Sequence, residues 1–454
     1  MSTSFISAIE YYQGMPAVTL GKADIGEQPA STPAFHFGQQ PAVLKNVDHT
    51  ASGRRQILVL GAGDVWRKFC RWALEHRGTE YFVYDPAFWQ DDAADKPDAK
   101  TAAQALAGVD EAHCLRFAES DTIPAGIDCV LILTPPRWHA QYIQWAQEHH
   151  LPAMVEKPLV TSPAEVRALD SLLAHATAPV YCMDWEIAHA TALAAVLGRQ
   201  VPFSDTVHCT HPDRFTQFDV HNIASIEATL VETGDPHSYG NMDYLRAHRP
   251  WIFDYQRGGG ALYDMGVHPL NALAAMGFMP GAIQTVLLGD ASGTPPFGVY
   301  RAIGNGEATA EWYARVQLQS TFNGQTIPTL IEVAKAAAAS DMRITLTDHQ
   351  GHVLHWEYGH ETSTVTLWPE AQRQGVPLAR AVAHIDPYAL MFEEADRFFR
   401  QQQSHPGPKI ALYYPEQAAV LEAIARMHEQ GRARVVHPTD TVTQLALAPP
   451  RVVG

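Results

Sequence analysis

The run Gln56-Ile57-Leu58-Val59-Leu60, followed at once by Gly61-Ala62-Gly63, constrains the fold more than any other stretch of this 454-residue chain. An apolar run without alternation suits a strand covered on both faces, as in a parallel sheet. Lys68 to His76 then reads as a helix, and Tyr81-Phe82-Val83-Tyr84-Asp85 as a second strand ending in an acid. Strand, Gly-x-Gly turn, helix, strand and terminal acid compose a dinucleotide-binding βαβ unit. N–H groups at the helix start take a pyrophosphate and the acid takes a ribose diol. Asp85 lies 24 positions beyond Gly61, close to the spacing of about 20 that such units show. An acid there repels a 2′-phosphate and favours NAD over NADP. Two residues work against tight binding. Trp66 stands where a third glycine would let helix and strand approach, and Asp64 brings a negative charge close to the phosphates.

More strands of the same kind follow. Cys129-Val130-Leu131-Ile132-Leu133 runs into Thr134-Pro135-Pro136-Arg137-Trp138-His139, whose prolines delay the next helix and leave a stiff loop at the strand's carboxyl end. Ligands of doubly wound sheets bind there. His139 opens the helix Ala140 to His149, where capping is the plain alternative to a ligand role. Ala153-Met154-Val155 leads into Glu156-Lys157-Pro158, which sets a lysine at the mouth of a buried strand, within reach of a nicotinamide edge and a substrate hydroxyl. Pro179-Val180-Tyr181-Cys182 reads as the last strand of this sheet, and Asp184 after it is a candidate substrate contact.

Further along, Gly258-Gly259-Gly260 precedes Asp264 and His268. Four residues apart on a helix, these two side chains share one face. A carboxylate beside an imidazole suits proton transfer near neutral pH. Tyr255 and Arg257, just before the glycines, are further substrate candidates. His349, His352 and His355 recur at three-residue intervals, but on a turn between strands that spacing does not converge on a metal.

Taken in order, Gly61-x-Gly63, Thr134-Pro135-Pro136 with His139, Glu156-Lys157-Pro158 and the stretch Gly258 to His268 resemble the Gfo/Idh/MocA oxidoreductases, over roughly residues 55 to 435. The resemblance implies an N-terminal Rossmann domain, a doubly wound parallel sheet, followed by an open, mostly antiparallel sheet domain. It implies that Lys157 touches cofactor and substrate and precedes a cis proline, that Asp264 orients the substrate, and that His268 gives or takes the proton. Gly61, Gly63, Asp85, Thr134, Pro135, His139, Glu156 and Lys157 would then line the NAD site. The substrate would be a polyhydroxylated small molecule, a sugar or cyclitol, and the assembly a homodimer or homotetramer through the second sheet. Many members carry an aspartate three residues after the histidine; here it is Asn271. The same fold also serves non-catalytic dinucleotide sensors, which have no need of Lys157, Asp264 and His268.

The rest of the chain fits two domains, 54–183 and 184–435, between a proline-punctuated arm over 1–53 and a tail over 436–454. The second domain reads as strands at Ile226 to Glu232, Thr285 to Leu288, Trp312 to Leu318, Thr326 to Val333, Met342 to Leu346 and Thr364 to Leu367. Tyr388 to Arg400 and Pro415 to His428 read as closing helices. A net charge of −17 without a basic run speaks against nucleic acid or an anionic membrane as partner. Five widely spaced cysteines, no signal-like start and no long apolar run point to a soluble cytoplasmic protein.

Overall fold

The computed structural model describes residues 55–85, 126–161, 163–198, 207–236, 238–255, 258–292, 296–303, 309–359, 362–369, 376–404 and 414–433. The proposed arm and tail, the helix expected over Ala102 to Val109, and Arg257 lie outside them.

The unalternating apolar runs become a parallel sheet of β1 (Gln56–Leu60), β2 (Glu80–Tyr84), β3 (Cys129–Ile132), β4 (Ala153–Glu156) and β5 (Val180–Met183). Their order is β2-β1-β3-β4-β5. Leu60 pairs with both Tyr84 and Ile132, so β1, β2 and β3 end level. Gly61, Asp85 and Thr134 therefore gather at one edge.

One face of this sheet presents Ile57, Val59, Leu131, Met154 and Met183 to a core shared with Trp66, Cys70 and Leu74. The core is completed from far along the chain. The helix Pro387–Ser404, expected to close the second domain, packs Tyr388, Met391, Phe392, Phe398 and Phe399 against these strands. Each large apolar side chain so buried stabilises by about 1.5–3 kcal/mol.

A second sheet has ten strands. They are β6 (Val207–Thr210), β7 (Ile223–Thr233), β8 (Met279–Ala291), β9 (Tyr300–Ala302), β10 (Tyr313–Phe322), β11 (Gln325–Ala337), β12 (Asp341–Asp348), β13 (Val353–Tyr358), β14 (Thr362–Trp368) and β15 (Ala379–His384). The order is β6-β15-β14-β13-β12-β7-β11-β10-β8-β9, antiparallel except for the pair β7 and β11. In β10 every second residue from Val316 is buried, which is the signature of a sheet covered on one face.

Both glycine-rich turns open into a π-turn rather than a regular helix. Arg71 N–H bonds Trp66 carbonyl at the first, and Val267 N–H bonds Leu262 carbonyl at the second. The helices Arg71–His76 and Val267–Ala275 follow. A π-turn widens the local helix and shifts the angular position of every later side chain.

Candidate active site

The Gly61 turn is shaped by its neighbours. Gly61 has φ +98°, and a Cβ there would lie 3.0 Å from the backbone of Leu133 and Thr134, so the turn closes against the end of β3 only as glycine. Gly63 is the opposite case: a Cβ there would find no atom within 4 Å beyond its immediate neighbours. Its glycine leaves room outside the turn, where a pyrophosphate would approach the backbone. Asp85 accepts from Ala62 N–H at 2.7 Å, which holds the acid against the turn. The hydroxyl of Thr134, whose backbone faces Gly61, is buried with no hydrogen-bond partner among the described residues. These residues fit a bound dinucleotide.

The two residues that argued against binding are disposed of by the fold. Trp66 is fully buried beneath its own helix, edge-on to Tyr81 with ring centres 4.9 Å apart. Asp64 is 6% exposed and faces Arg67 and Arg249. Burial by itself would raise its carboxyl, but Arg249, then the Tyr244 hydroxyl, Lys68 and Arg67, hold it below the usual range. Its charge is thus compensated within the protein.

At the end of β4, Lys157 precedes a cis peptide to Pro158. Its Nζ donates to the Asp264 backbone carbonyl at 2.6 Å and lies 3.4 Å from the Asp264 carboxylate. His139 stands beneath, its Nδ1 2.9 Å from the Pro158 carbonyl and its Nε2 2.7 Å from the Thr134 carbonyl. Burial pushes this imidazole down to about 4, so at neutral pH the ring is uncharged. It is a buried tie between the β3 and β4 loops rather than a surface cap. Glu156 is buried beside Lys157, one carboxylate oxygen lacking a partner among the described residues, and burial raises its pKa to about 8.

Asp264 is 4% exposed and meets three cations. Lys335 Nζ lies 2.8 Å and Arg249 NH1 3.6 Å from one of its oxygens, and Lys157 faces the other. Desolvation opposes ionisation, yet Lys335, Lys157 and Arg249 outweigh it and keep the carboxyl well below its ordinary range. Lys335, on β11, is itself 1% exposed and also binds Glu232 of β7 at 2.5 Å. Its ammonium stays charged because Asp264 and Glu232 exceed the cost of burial.

His268 finds other partners. Asp264 lies within the π-turn Leu262–Gly266 and His268 in the helix that follows it, so the expected shared helix face resolves into two neighbouring sites. Nδ1 of His268 is 2.7 Å from Asp184 Oδ1, while Nε2 accepts from the Trp185 indole N–H at 2.9 Å. Burial, and then the nearby Lys157 charge, lower the imidazole pKa; Asp184 pulls the other way. Asp184, expected to face substrate, is 2% exposed and holds His268 instead, with Asn271 Nδ2 on its second oxygen at 2.7 Å. Position 271 thus carries an amide that donates to the Asp184 carboxylate.

Tyr255 lies under the Arg432 guanidinium, 3.8 Å from its ring centre. Sequence reasoning missed Arg249, Lys335 and Glu232. A lysine within a strand pattern was the available signal, because lysine is almost never fully buried unless paired. A groove of about 830 Å³ lies elsewhere, between the strand β6 and the segment Pro212 to His221. Among the described residues, no set of three or more His, Cys, Asp or Glu side chains could hold a metal ion, and no helix is long and apolar enough to cross a membrane.

Comparison with known proteins agrees with this architecture. Residues 55–182 match the family described as "Oxidoreductase family, NAD-binding Rossmann fold". No curated protein sequence matches the chain. Among solved structures, KijD10, a 3-ketoreductase from Actinomadura kijaniata in complex with TDP-benzene and NADP, is similar at 15% identity. The match covers 85% of this chain and 100% of that one with a TM-score of 0.56. An oxidoreductase from Thermotoga maritima is similar at 14% identity over 84% of this chain and 97% of its own, also with a TM-score of 0.56. At such identities the likeness is one of fold. The parallel sheet and the Gly61 turn fall inside the matched segment, so residues 55–182 are similar to the NAD-binding Rossmann domain of the Gfo/Idh/MocA oxidoreductases.

Proposed function

We propose that this protein is an NAD-dependent oxidoreductase that interconverts a secondary alcohol and its ketone on a polyhydroxylated small molecule. The observation that carries the reading is Lys157. Its ammonium is fixed on Asp264 at 2.6 Å from the backbone carbonyl, at the carboxyl end of β4, with His268 close enough for the lysine charge to act on it. When bound, nicotinamide would accept or supply the hydride. The chain's own residues do the rest. Lys157 stabilises negative charge on the reacting oxygen, and Asp264, held ionised by Lys335 and Arg249, keeps that ammonium in place. His268, neutral and backed by Asp184, takes the hydroxyl proton at Nε2. Gly63, Thr134 and Asp85 would hold the dinucleotide, and Asp85 favours NAD through repulsion of a 2′-phosphate.

The test pairs binding with turnover. Calorimetric titration with NAD and NADP should show tighter NAD binding, and replacing Asp85 by Ser should narrow the difference. A panel of sugars and polyols, followed by reduced-nicotinamide absorbance, should then show turnover. Lys157→Ala and His268→Gln should each lose it while keeping dinucleotide affinity. Tight NAD binding without turnover on any sugar or polyol would favour a dinucleotide-sensing role. One observation supports that second reading: both ring nitrogens of His268 are occupied by the chain itself.

A further inference from the structure

Asp184 and Trp185, consecutive in sequence, take both nitrogens of His268. An indole N–H only donates, so Nε2 presents its lone pair to Trp185 and the ring proton sits on Nδ1, toward the carboxylate. The two partners differ in how firmly they are held. Asp184 is buried; its Oδ1 also accepts from Glu186 N–H at 3.0 Å and its Oδ2 from Asn271. Trp185 is half-buried, and its ring meets His268, His189 and Tyr358 edge-on at 5.1, 5.2 and 5.5 Å. The indole N–H can leave Nε2 without breaking any other hydrogen bond that holds the ring. The Asp184 contact has no such freedom.

Nε2 is also the atom that an alcohol must reach to hand over its proton. We propose that Trp185 is a gate on His268, its indole N–H holding the seat of the substrate hydroxyl until that hydroxyl displaces it. The inference rests on the proposed oxidoreductase reading and adds a rule of selection to it. The exchange is donor for donor, since a hydroxyl gives Nε2 the same kind of hydrogen bond that the indole gave. In the oxidative direction an alcohol therefore replaces the indole without leaving the imidazole unsatisfied, whereas an ether leaves two lone pairs face to face. Trp185 is accordingly a positioning and selecting residue. It forms no bond to the reacting carbon.

The test uses the full-length chain with Trp185→Phe, which keeps an aromatic ring and removes only the donor. In protein carrying nitrogen-15 histidine, the His268 Nε2 resonance should move to the position of an unbonded imine nitrogen. Acylation of His268 by diethyl pyrocarbonate, mapped by peptide mass spectrometry, should be about tenfold faster, the order of one lost hydrogen bond. On a polyol that the wild-type protein oxidises, KM should fall by about tenfold while kcat stays within about twofold, since only the competing contact is removed. An unchanged Nε2 resonance and acylation rate would overturn the gate, as would a fall in kcat at constant KM. Trp185→Leu, which also removes the donor, gives the same readouts should the phenylalanine variant fail to fold. If the wild-type protein oxidises no polyol, the oxidoreductase reading falls and the gate with it, while resonance and acylation still decide whether the indole N–H of Trp185 holds Nε2.

Discussion

Arg249 joins Asp64, on the first turn after the glycine loop, to Asp264 beside Lys157: its Nε lies 3.8 Å from one carboxylate and its NH1 3.6 Å from the other. The guanidinium is mostly buried and keeps its proton because these two acids outweigh desolvation. Removing Arg249 leaves Asp64 with Arg67 and Asp264 with Lys157 and Lys335, each buried acid short of one balancing charge. Arg249→Met should therefore cost about 3–5 kcal/mol in urea unfolding and weaken NAD binding through the exposed Asp64 charge. Adding Asp64→Asn should recover part of both losses. Two independent, additive effects in that double variant would show that the residues are not coupled.

Lys335 should be more demanding still, because both its partners are acids and it is almost wholly enclosed. Lys335→Met should destabilise by about 3–5 kcal/mol and let the Asp264 carboxyl rise toward its ordinary range. Combining it with Glu232→Gln should be less harmful than the sum of the single changes. A neutral effect of Lys335→Met on unfolding would sink the account of Asp264 given above.

The two glycines of the first turn should fail in different ways. Gly61→Ala forces a side chain into positive φ and against β3, and should lower stability by about 1–3 kcal/mol. Gly63→Ala should leave unfolding unchanged, because nothing lies within 4 Å of the new methyl. It should nonetheless raise the NAD dissociation constant by about tenfold or more by filling the approach to the backbone. Equal stability losses for both would remove the distinction.

Stability should depend on pH through two buried groups with opposite signs. Glu156, raised by burial to about 8, keeps its proton in the folded chain where the unfolded chain has released it. Its contribution is complete below the ordinary value of 4.5 and is lost as pH rises toward 8. His139, lowered by burial to about 4, contributes fully above its ordinary 6.5 and is lost as pH falls toward 4. Thermal unfolding of Glu156→Gln should show a flatter decline on the alkaline side and an unaltered acid side. A parallel shift of the whole curve would assign the effect to packing instead.

The first sheet was legible because its strands are buried on both faces and read as plain apolar runs. Gln56–Leu60 appears with the expected ends, and the others differ by a residue or so. Strands of the second sheet were harder. Val353–Tyr358 alternates buried residues with His355 and Glu357, and Ala379–His384 offers alanines, which have little preference for strands. Neither was read as a strand. At the site, spacing brought Lys157, Asp264 and His268 to attention. It could not reveal what each touches, since Lys157 and Asp264 lie 107 positions apart and Asp184 and His268 lie 84 apart. The π-turn before His268 changed the geometry further. Helical periodicity assumes a regular turn, and a sequence with glycines at its start does not announce a wider one.

The helix Pro387–Ser404, lying on the first sheet, has a consequence for how the protein is made. Tyr388, Phe392 and Phe399 complete a core begun by Ile57 and Val59 more than 300 residues earlier. A ribosome therefore delivers the nucleotide-binding sheet long before it delivers the helix that covers it. During that interval the exposed apolar face must wait, the situation in which chaperones engage a nascent chain. Cutting the chain after the fifth strand would make the wait permanent, and the fragment would aggregate rather than bind dinucleotide. The part that looks separable in the sequence is, in synthesis, finished only after every strand of the second sheet has been made.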